Sequence, residues 1–369
     1  MSGSTAEAAG TVGSEESADP VVTRGGRGSL VGAAGLVLIV VLLAAVVPYV
    51  VTLGALSSLV MLFVLVILGT TWNLLAGYGG MVSVGQQAYV GVGGYALIQL
   101  ADVVGAPPWA AVLAAGLVGG LIALPTSYLV FRLAGGYFAI GTWVVAEVFR
   151  LVTMQVDGLG GGSGLSLTAF RGTDPVERVA FVYWFALALM VAVVLGTYLL
   201  MRSRVGLGLT AIRDDRVAAS SLGVAVDRGR RLVYVVGSSG AALAGALIAL
   251  STLGVTPGSI YSVNWTAAMI FIVVVGGIGT IEGPLVGAVL YWVLQQALAP
   301  LGTWYLVVLG AVAVAVVLLA PRGLWGLLAG RFQLFPTTHR VRLDAAAEVR
   351  GADSGNTAGT GTVATDGRE

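Results

Sequence analysis

The sequence predicts an all-α polytopic membrane protein with about ten transmembrane helices (about 8–10), some of them broken by glycine. Charged residues make up 10% of the 369 residues, whereas soluble domains contain about 25%. Hydrophobic residues make up 57% of the chain. No charged residue occurs from Gly28 to Ala101, from Leu232 to Ile281, or from Gly283 to Pro321. Each of these runs is longer than the roughly 20 apolar residues that one spanning helix needs.

The apolar segments give the predicted helices in chain order, separated by charged or glycine-rich stretches. The predicted spans are 30–50, 56–76, 84–101, 108–131, 136–154, 180–201, 232–252, 265–276, 284–299 and 303–320. If two of the weaker, glycine-broken segments are half-helices, about eight spans remain and the two chain ends still lie on one side.

The arginines set the orientation of these spans. Cytoplasmic loops of membrane proteins carry an excess of positive charge. With ten spans, Arg24 and Arg27 before the first span, Arg132 after the fourth and the arginine-rich segment 202–231 all lie on the same side. That side is therefore predicted to be the cytoplasm, with both termini in it. The segment 155–179 then lies outside, either as a hydrated surface loop or as a docking surface for an extracytoplasmic partner.

Three regions follow from this arrangement. Residues 1–29 are rich in Gly, Ser, Ala and Glu and are predicted to be a disordered cytoplasmic tail. Residues 30–334 form the transmembrane domain, with the cytoplasmic loop 202–231 and the external loop 155–179. Residues 335–369 are predicted to be a second disordered cytoplasmic tail.

The residue types that are missing exclude several functions. The chain has no lysine, so it cannot contain the phosphate-binding motif G-x-x-x-x-G-K-[ST]. It has no cysteine, which excludes thiolate metal sites and cysteine nucleophiles. An intramembrane serine protease at Ser163 fails because the single histidine, His339, lies in the tail. A channel with a selectivity filter at Gly77–Gly80 is a further alternative, but only one short sequence fragment supports it. We therefore expect no enzymatic activity, no metal, no cofactor and, at a net charge of +1, no nucleic-acid partner.

Two glycine-rich interruptions share the pattern GG-[MI]-x-[ST]-[VI], at residues 79–84 and 276–281. Irregular backbone is tolerated at membrane depth only where protein or a water-filled cavity covers it. Broken helices in corresponding halves of a transporter point to its pathway, and close helix packing through small residues is the alternative interpretation. The predicted pathway residues are Gly79, Gly80, Ser83, Gly85, Gln86, Gln87, Gly276, Gly277 and Thr280.

Within the arginine-rich segment 202–231, the apolar residues of positions 202–224 fit no long helix. Its charges alternate in sign at Arg213–Arg216, so short helices divided by a charged turn are predicted. One interpretation is a loop that only sets topology. The small apolar stretch Ala218–Val224 instead suits a short helix that fits a groove on another protein. A pump without its own nucleotide site needs such a contact with an ATPase.

Glu147 and Arg150 are spaced i,i+3 in the fifth predicted span, so they can meet on one side of the helix. A charge near the bilayer centre costs about 2.5–3.5 kcal/mol on insertion scales. Pairing near the outer end of the span would relieve much of that cost, so a structural ion pair is predicted. Glu282 follows the second interruption and is expected to mark a cytoplasmic helix break, with a proton relay as the alternative.

Four segments, taken in order, resemble the branched-chain amino acid ABC-transporter permease family. They are GYGGMVSVGQQAYVGVGGY from Gly77, GYFAIGTWVVAEVFRLV from Gly136, GLTAIRDDRVAASSLGV from Gly208 and GGIGTIEGPLVGA from Gly276. The LivM-type subunit is more similar than the LivH type, chiefly because Ala211–Asp215 is followed by Ala-Ala and Leu-Gly-Val. The resemblance runs from about Ser57 to Pro321.

This resemblance implies a permease subunit of an ATP-driven importer for branched-chain amino acids, embedded in the inner (plasma) membrane. The implied partners are a LivH-like second permease, two ATP-binding subunits and an extracytoplasmic substrate-binding protein. ATP would then be used by the partner and not by this chain. The family's coupling segment maps onto Arg213, Asp214, Asp215, Ala218, Ala219, Leu222 and Gly223.

The substrate is less well specified than the family. Gln86-Gln87 stands where relatives commonly carry a Gly/His-type pair. This departure bears on the transfer of substrate preference. Closely similar permeases handle urea and short amides, so a permease for these solutes is the alternative within the same class. An ion-coupled secondary transporter is a more distant alternative, because such carriers place ionisable residues within their spans and this chain has few.

Overall fold

The computed structural model describes residues 21–23, 47–170, 172–302, 304–320, 323–328 and 340–342. Seven helices in this part of the chain are long and apolar enough to cross a membrane. They are joined by shorter helices and by very little strand. The predicted class, an all-α polytopic membrane protein, is confirmed.

The described helices follow one another closely along the chain. They are α1 (Val47–Val50), α2 (Leu53–Asn73), α3 (Gln87–Ile98), α4 (Pro108–Val130), α5 (Gly136–Gln155), α6 (Pro175–Arg202), α7 (Arg204–Asp214), α8 (Arg216–Ser221), α9 (Val226–Thr252), α10 (Pro257–Ile260), α11 (Val263–Gly276), α12 (Gly283–Leu298), α13 (Trp304–Leu319) and α14 (Gly323–Leu328). Helix α2 continues as a π-helical turn, Leu74–Tyr78, and α3 continues as another, Gln99–Val103.

Each predicted span from 56–76 to 303–320 contains one of these helices. The first predicted span, 30–50, lies outside the described residues except for α1. Helix α12, with 16 residues, is shorter than a full span, and α3 has only 12 residues before its π-helical turn. The number of membrane crossings therefore stays a prediction.

Helix α9 occupies the centre of the bundle and packs on α2, α3 and α4. Glycines allow the close approach. A Cβ atom at Gly93 of α3 would overlap the carbonyl of Ala242 in α9, and one at Gly245 of α9 would overlap the carbonyl of Val90 in α3. In lipid, where apolar burial gives no advantage to helix association, such close van der Waals packing is what holds helices together.

The connections between helices gather at two ends of the bundle. At one end, here called the Arg213 end, Gly77 after α2 lies beside Gly279 after α11 and beside Arg213 of α7. At the other end, the strands β2 (Leu165–Ser166) and β3 (Gly254–Val255) pair antiparallel; this is the β2–β3 end.

The tails contribute one further described element. Strands β1 (Val21–Thr23) and β4 (Arg340–Arg342) pair antiparallel, with Val21 opposite Arg342. They belong to a compact unit separate from the unit of residues 28–337. The other residues of the predicted disordered tails, 1–29 and 335–369, lie outside the described residues.

Candidate pathway and coupling site

The two glycine-rich interruptions meet at the Arg213 end, although they are about 200 residues apart in sequence. The first break comprises residues 79–86, between α2 and α3, and the second comprises residues 277–282, between α11 and α12. The side-chain amide of Asn73 joins them: its Nδ2 donates to the carbonyl of Thr280 (2.7 Å), and its Oδ1 accepts from the amide of Gly279 (2.8 Å). Both halves of one amide therefore tie the end of α2, which leads into the first break, to the second break.

Glycine is required where the two breaks touch. A Cβ at Gly77 would lie 2.6 Å from the backbone nitrogen of Gly279. Gly80 and Gly279 have φ angles of +63° and +75°, a region that glycine enters without steric cost. Close packing therefore accounts for Gly77, and the positive φ angles account for Gly80 and Gly279.

Arg213 reaches the first break from the arginine-rich segment. Its Nη1 donates to the carbonyl of Gly77 (3.3 Å), and its Nε donates to the carboxylate of Asp214 (3.0 Å). A residue predicted to serve coupling therefore contacts the chain directly before the predicted pathway residues. Sequence alone gave no indication of this contact.

The first break runs into the bundle instead of turning at its end. The indole Nε1 of Trp72 donates to the carbonyl of Ser83 (2.9 Å), and the amide of Val84 donates to Oγ1 of Thr142 in α5 (3.1 Å). A Cβ at Gly85 would overlap the carbonyl of Thr142. The backbone of this segment is thus held by its neighbours inside the protein, which satisfies the requirement for irregular backbone at membrane depth.

Helix α3 begins near the middle of the bundle. The amide of Gln87 donates to Oγ1 of Thr266 in α11 (3.4 Å), and this hydroxyl donates in turn to Oε1 of Gln87. Thr266 lies about ten residues before Gly276, or about 15 Å at 1.5 Å per residue. Since Gly276 is at the Arg213 end, α3 is a half-helix with a deeply placed N-terminus.

Gln86 is the most unusual side chain of this region. It is 1% exposed, and neither its Oε1 nor its Nε2 has a hydrogen-bond partner among the described residues. Buried polar groups are nearly always paired, so an unpaired amide marks strain or function.

The nine predicted pathway residues all lie in or directly beside the two breaks. Most are buried by helices of this same chain, whereas Gly80 is exposed and borders a cavity of about 330 Å³ that Arg230 also lines. Thr280 closes the second break locally: its Oγ1 donates to the carbonyl of Gly277 (2.8 Å) and accepts from the amide of Gly283 (3.0 Å). Their role in a pathway stays a prediction.

The predicted pair of short helices in the arginine-rich segment is confirmed as α7 and α8. Asp215 separates them and caps α8, because its carboxylate accepts from the amides of Val217 (2.8 Å) and Ala218 (3.0 Å). An aspartate at this position satisfies amides that the first helical turn leaves unpaired.

The two short helices differ in what they do with their apolar residues. Leu209 and Ile212 of α7 are buried and anchor it to the bundle. Val217 of α8 is 74% exposed, and Leu222, directly after α8, is 83% exposed. Of the other predicted coupling residues, Ala219 is buried, and Asp214, Asp215, Ala218 and Gly223 are exposed. The region around α8 therefore presents bulky apolar side chains on a charged surface.

The two carboxylates predicted outside these segments are both located. Glu147 and Arg150 form the expected ion pair within α5, on an exposed face of that helix. Glu282 is buried at the residue before α12, where a negative charge is favourable at a helix N-terminus.

Three residues that hold the breaks in place were not predicted from the sequence. Asn73, Thr142 and Thr266 each lie within an apolar helix. The first two bond backbone of a break, and Thr266 bonds the amide of the residue that follows the first break. In the sequence, each of them is a single polar residue within a long apolar segment. A hydropathy value averaged over such a segment hides one polar residue. Only the folded chain shows which backbone groups they satisfy.

Comparisons with known proteins agree on one family. The high-affinity branched-chain amino acid transport system permease protein LivM of Salmonella typhimurium LT2 is 27% identical over 75% of this chain and 71% of its own length. LivM of Escherichia coli K12 is 26% identical over the same shares. The autoinducer 2 import system permease protein LsrC of Klebsiella pneumoniae is 36% identical, over 34% of this chain and 35% of its own length. No solved structure matches the chain. The family described as "Branched-chain amino acid transport system / permease component" matches residues 54–317, and the chain belongs to it.

Proposed function

We propose that this chain is the LivM-like permease subunit of an ATP-driven importer for branched-chain amino acids, and that the region around α8 couples it to a separate ATPase. Family membership and the two LivM relatives support the transport class and the substrate class. They do not favour urea, short amides or ion coupling. The exposed apolar residues of the α8 region carry the coupling part of the proposal.

The geometry around α8 suits a groove on a partner protein. A short helix that docks in a groove does so through a few apolar anchors. Val217 and Leu222 are exposed apolar side chains near the two ends of α8. The cap from Asp215 fixes the start of this helix. Leu209 and Ile212 attach the preceding helix to the bundle, so force on α8 reaches the membrane helices.

The same proposal assigns the partners. An importer of this family needs ATP-hydrolysing and substrate-binding components beside the permease. We infer a LivH-like second permease, two ATP-binding subunits and an extracytoplasmic binding protein. The ATP-binding subunits would carry out the hydrolysis, since this chain lacks the lysine of the phosphate-binding loop.

The arginine distribution supports an orientation in the inner (plasma) membrane. Segment 202–231 contains seven arginines, so the Arg213 end is assigned to the cytoplasm together with both termini. The β2–β3 end is then outside, where residues 155–179 would receive the binding protein.

The coupling assignment is tested by charging the α8 surface. Val217→Asp and Leu222→Asp place a carboxylate where an apolar anchor is proposed. Val176→Asp is the matched control, because Val176 is also an exposed valine but lies near the β2–β3 end, at the start of α6. We expect the α8 variants to lose at least tenfold in co-purified ATPase subunit and in ATP-dependent leucine uptake, and the control to keep its co-purified ATPase subunit. Unchanged ATPase recovery in both α8 variants would exclude this contact.

The orientation is tested separately with single cysteines, which need no prior removal of native ones. Ser220→Cys at the Arg213 end should react with a membrane-impermeant maleimide only from the cytoplasmic side. Ser163→Cys, in the loop before β2, should react only from outside. The opposite pattern would overturn the assignment of the two ends.

A further inference from the structure

The ion pair between Glu147 and Arg150 lies on the surface of the described part of this chain and not in its interior. The Arg150 Nε donates to both carboxylate oxygens of Glu147 (3.1 and 3.0 Å), its Nη2 also contacts Glu147, and its Nη1 lies 3.2 Å from Sδ of Met154. These contacts all stay within α5. The side chains of Glu147 and Arg150 are 49% and 29% exposed.

The pair is close to the middle of its helix. Helix α5 has 20 residues, or about 30 Å, which matches the hydrocarbon thickness of a bilayer. Glu147 lies about 16 Å from the first residue, Gly136, and Arg150 about one turn further. The sequence interpretation expected relief from a position near the outer end of the span, but the structure places Glu147 near the middle of α5.

The opposite face of α5 is the one that packs on the bundle. Phe138, Thr142, Ala146 and Thr153 are buried there, and the Thr153 hydroxyl lies 3.0 Å from the hydroxyl of Tyr261. The exposed face cannot turn inward without breaking these contacts. The charges therefore point away from the described part of this chain.

Helix α4 provides a comparison, because its exposed face carries no charge. Its exposed residues include Leu113, Leu117, Leu121 and Leu124, and the whole helix contains no charged residue. Ionisable residues within a membrane are costly to lipid and almost always face a bundle interior or a water-filled cavity. Glu147 and Arg150 do not face the interior of the described part of this chain, so a water-filled cavity beyond that part is the environment that suits them.

We propose that the exposed face of α5 lines a water-filled pathway shared with the second permease, and that Glu147 and Arg150 bind the charged groups of the amino acid in transit. This inference rests on the proposed function. Arg150 presents a planar guanidinium that pairs bidentately with a carboxylate, and Glu147 is a carboxylate suited to an ammonium group. An α-amino acid carries both charges, so it exchanges partners with the pair without changing the net charge of the site.

The surroundings of the pair suit an aliphatic side chain. Trp143 and Val144 lie one turn before Glu147, and Leu151 lies one turn after it, all on the exposed face. A charged pair beside apolar surface matches a zwitterion with an apolar side chain better than it matches urea, which has no charge. The arrangement therefore favours branched-chain amino acids over uncharged amides.

The pair is tested in the complete importer, reconstituted with its partners and supplied with radiolabelled leucine. The double variant Glu147→Leu with Arg150→Leu removes both charges, and Glu147→Arg with Arg150→Glu keeps an ion pair but exchanges its ends. We expect both to raise KM for leucine at least tenfold, while recovery of the partner subunits stays unchanged. Wild-type KM in the exchanged variant would show that the pair is only structural, and wild-type KM in the double leucine variant would also overturn the proposal.

Cysteine accessibility tests the water-filled surface independently of the charges. Val144→Cys on α5 should react with a hydrophilic thiol reagent in the assembled importer, and leucine should slow the reaction. Leu117→Cys, on the exposed face of α4, is the matched control and should not react. Equal lack of reaction at both positions would mean that α5 faces lipid or a dry interface. If wild-type protein transports no leucine in this assay, the proposed function fails; if it does and Val144→Cys is inert, only this inference fails.

Discussion

The two glycine breaks begin with the same sequence pattern but have different depths. The second break ends at the Arg213 end, where α12 starts at Gly283 and Thr280 closes the turn through its own hydroxyl. The first break continues to Thr142 and Thr266 before α3 starts at Gln87. The difference arises because other helices offer hydroxyl groups to the first break, whereas the second bonds mostly to itself and to Asn73. A glycine pair therefore marks where a helix stops, and its neighbours determine where the next one starts.

The largest effect is expected where the deep break passes α5. Gly85→Val would push a side chain into the carbonyl of Thr142, and overpacking of this kind costs about 3 kcal/mol. We expect a corresponding loss in the free energy of unfolding, measured by denaturant titration in detergent. Gly196→Val in α6 is the control: nothing lies within 4 Å of a Cβ there, so the change should stay within about 0.5 kcal/mol. Equal stability of the two variants would contradict the close packing of the first break.

The next largest loss in the free energy of unfolding is expected at Asn73. It distinguishes the loss of two hydrogen bonds from the replacement of a buried polar residue in general. Asn73→Leu leaves the Gly279 amide and the Thr280 carbonyl without their partner, at a cost of about 2 kcal/mol. Thr70→Val, one turn earlier on α2, is the control because the Thr70 hydroxyl is buried without a partner among the described residues. Its removal should be neutral or slightly stabilising. The same unfolding titration checks both, and a larger loss for Thr70→Val would be the reverse of this expectation.

The smallest effect is expected at Gln86, where a substitution should increase the free energy of unfolding. Replacing its unpaired, buried amide by the apolar side chain of leucine should stabilise the fold by about 1 kcal/mol. Leucine uptake by the complete importer is measured in parallel. A more stable but inactive Gln86→Leu protein would support the predicted role of this residue in the pathway. A destabilised protein would mean that the amide has a partner after all.

The helices and the coupling segment were largely predictable from the sequence. Freedom from charge defines α2, α11 and the part of α9 that starts at Leu232, and the charged turn at Asp215 separates α7 from α8. Helix limits were less accurate: α9 begins at Val226 instead of 232, because charged residues continue a helix beyond the bilayer at no cost. Likewise, Asp174 and Pro175 start α6 five residues before the predicted limit.

The arrangement of the site was not predictable, because it depends on contacts between distant parts of the chain. The sequence shows two glycine breaks and one arginine-rich segment, but not that Gly77, Gly279 and Arg213 touch. It also places Glu147 and Arg150 on one side of a helix without showing whether that side is inside or outside the bundle. Helical periodicity was too weak to decide, since apolar residues surround the pair on both sides.

The hydrogen bond from Arg213 to the Gly77 carbonyl joins the arginine-rich segment to the π-helical turn that follows α2. Gly77 is separated by only a few residues from the segment that enters the bundle. A displacement of α7 relative to α2 must stretch or break this bond. The glycine-rich backbone beside the bond has few side chains that could resist such a movement. A small movement of the arginine-rich segment is therefore passed directly to a stretch of irregular backbone that reaches the middle of the described bundle.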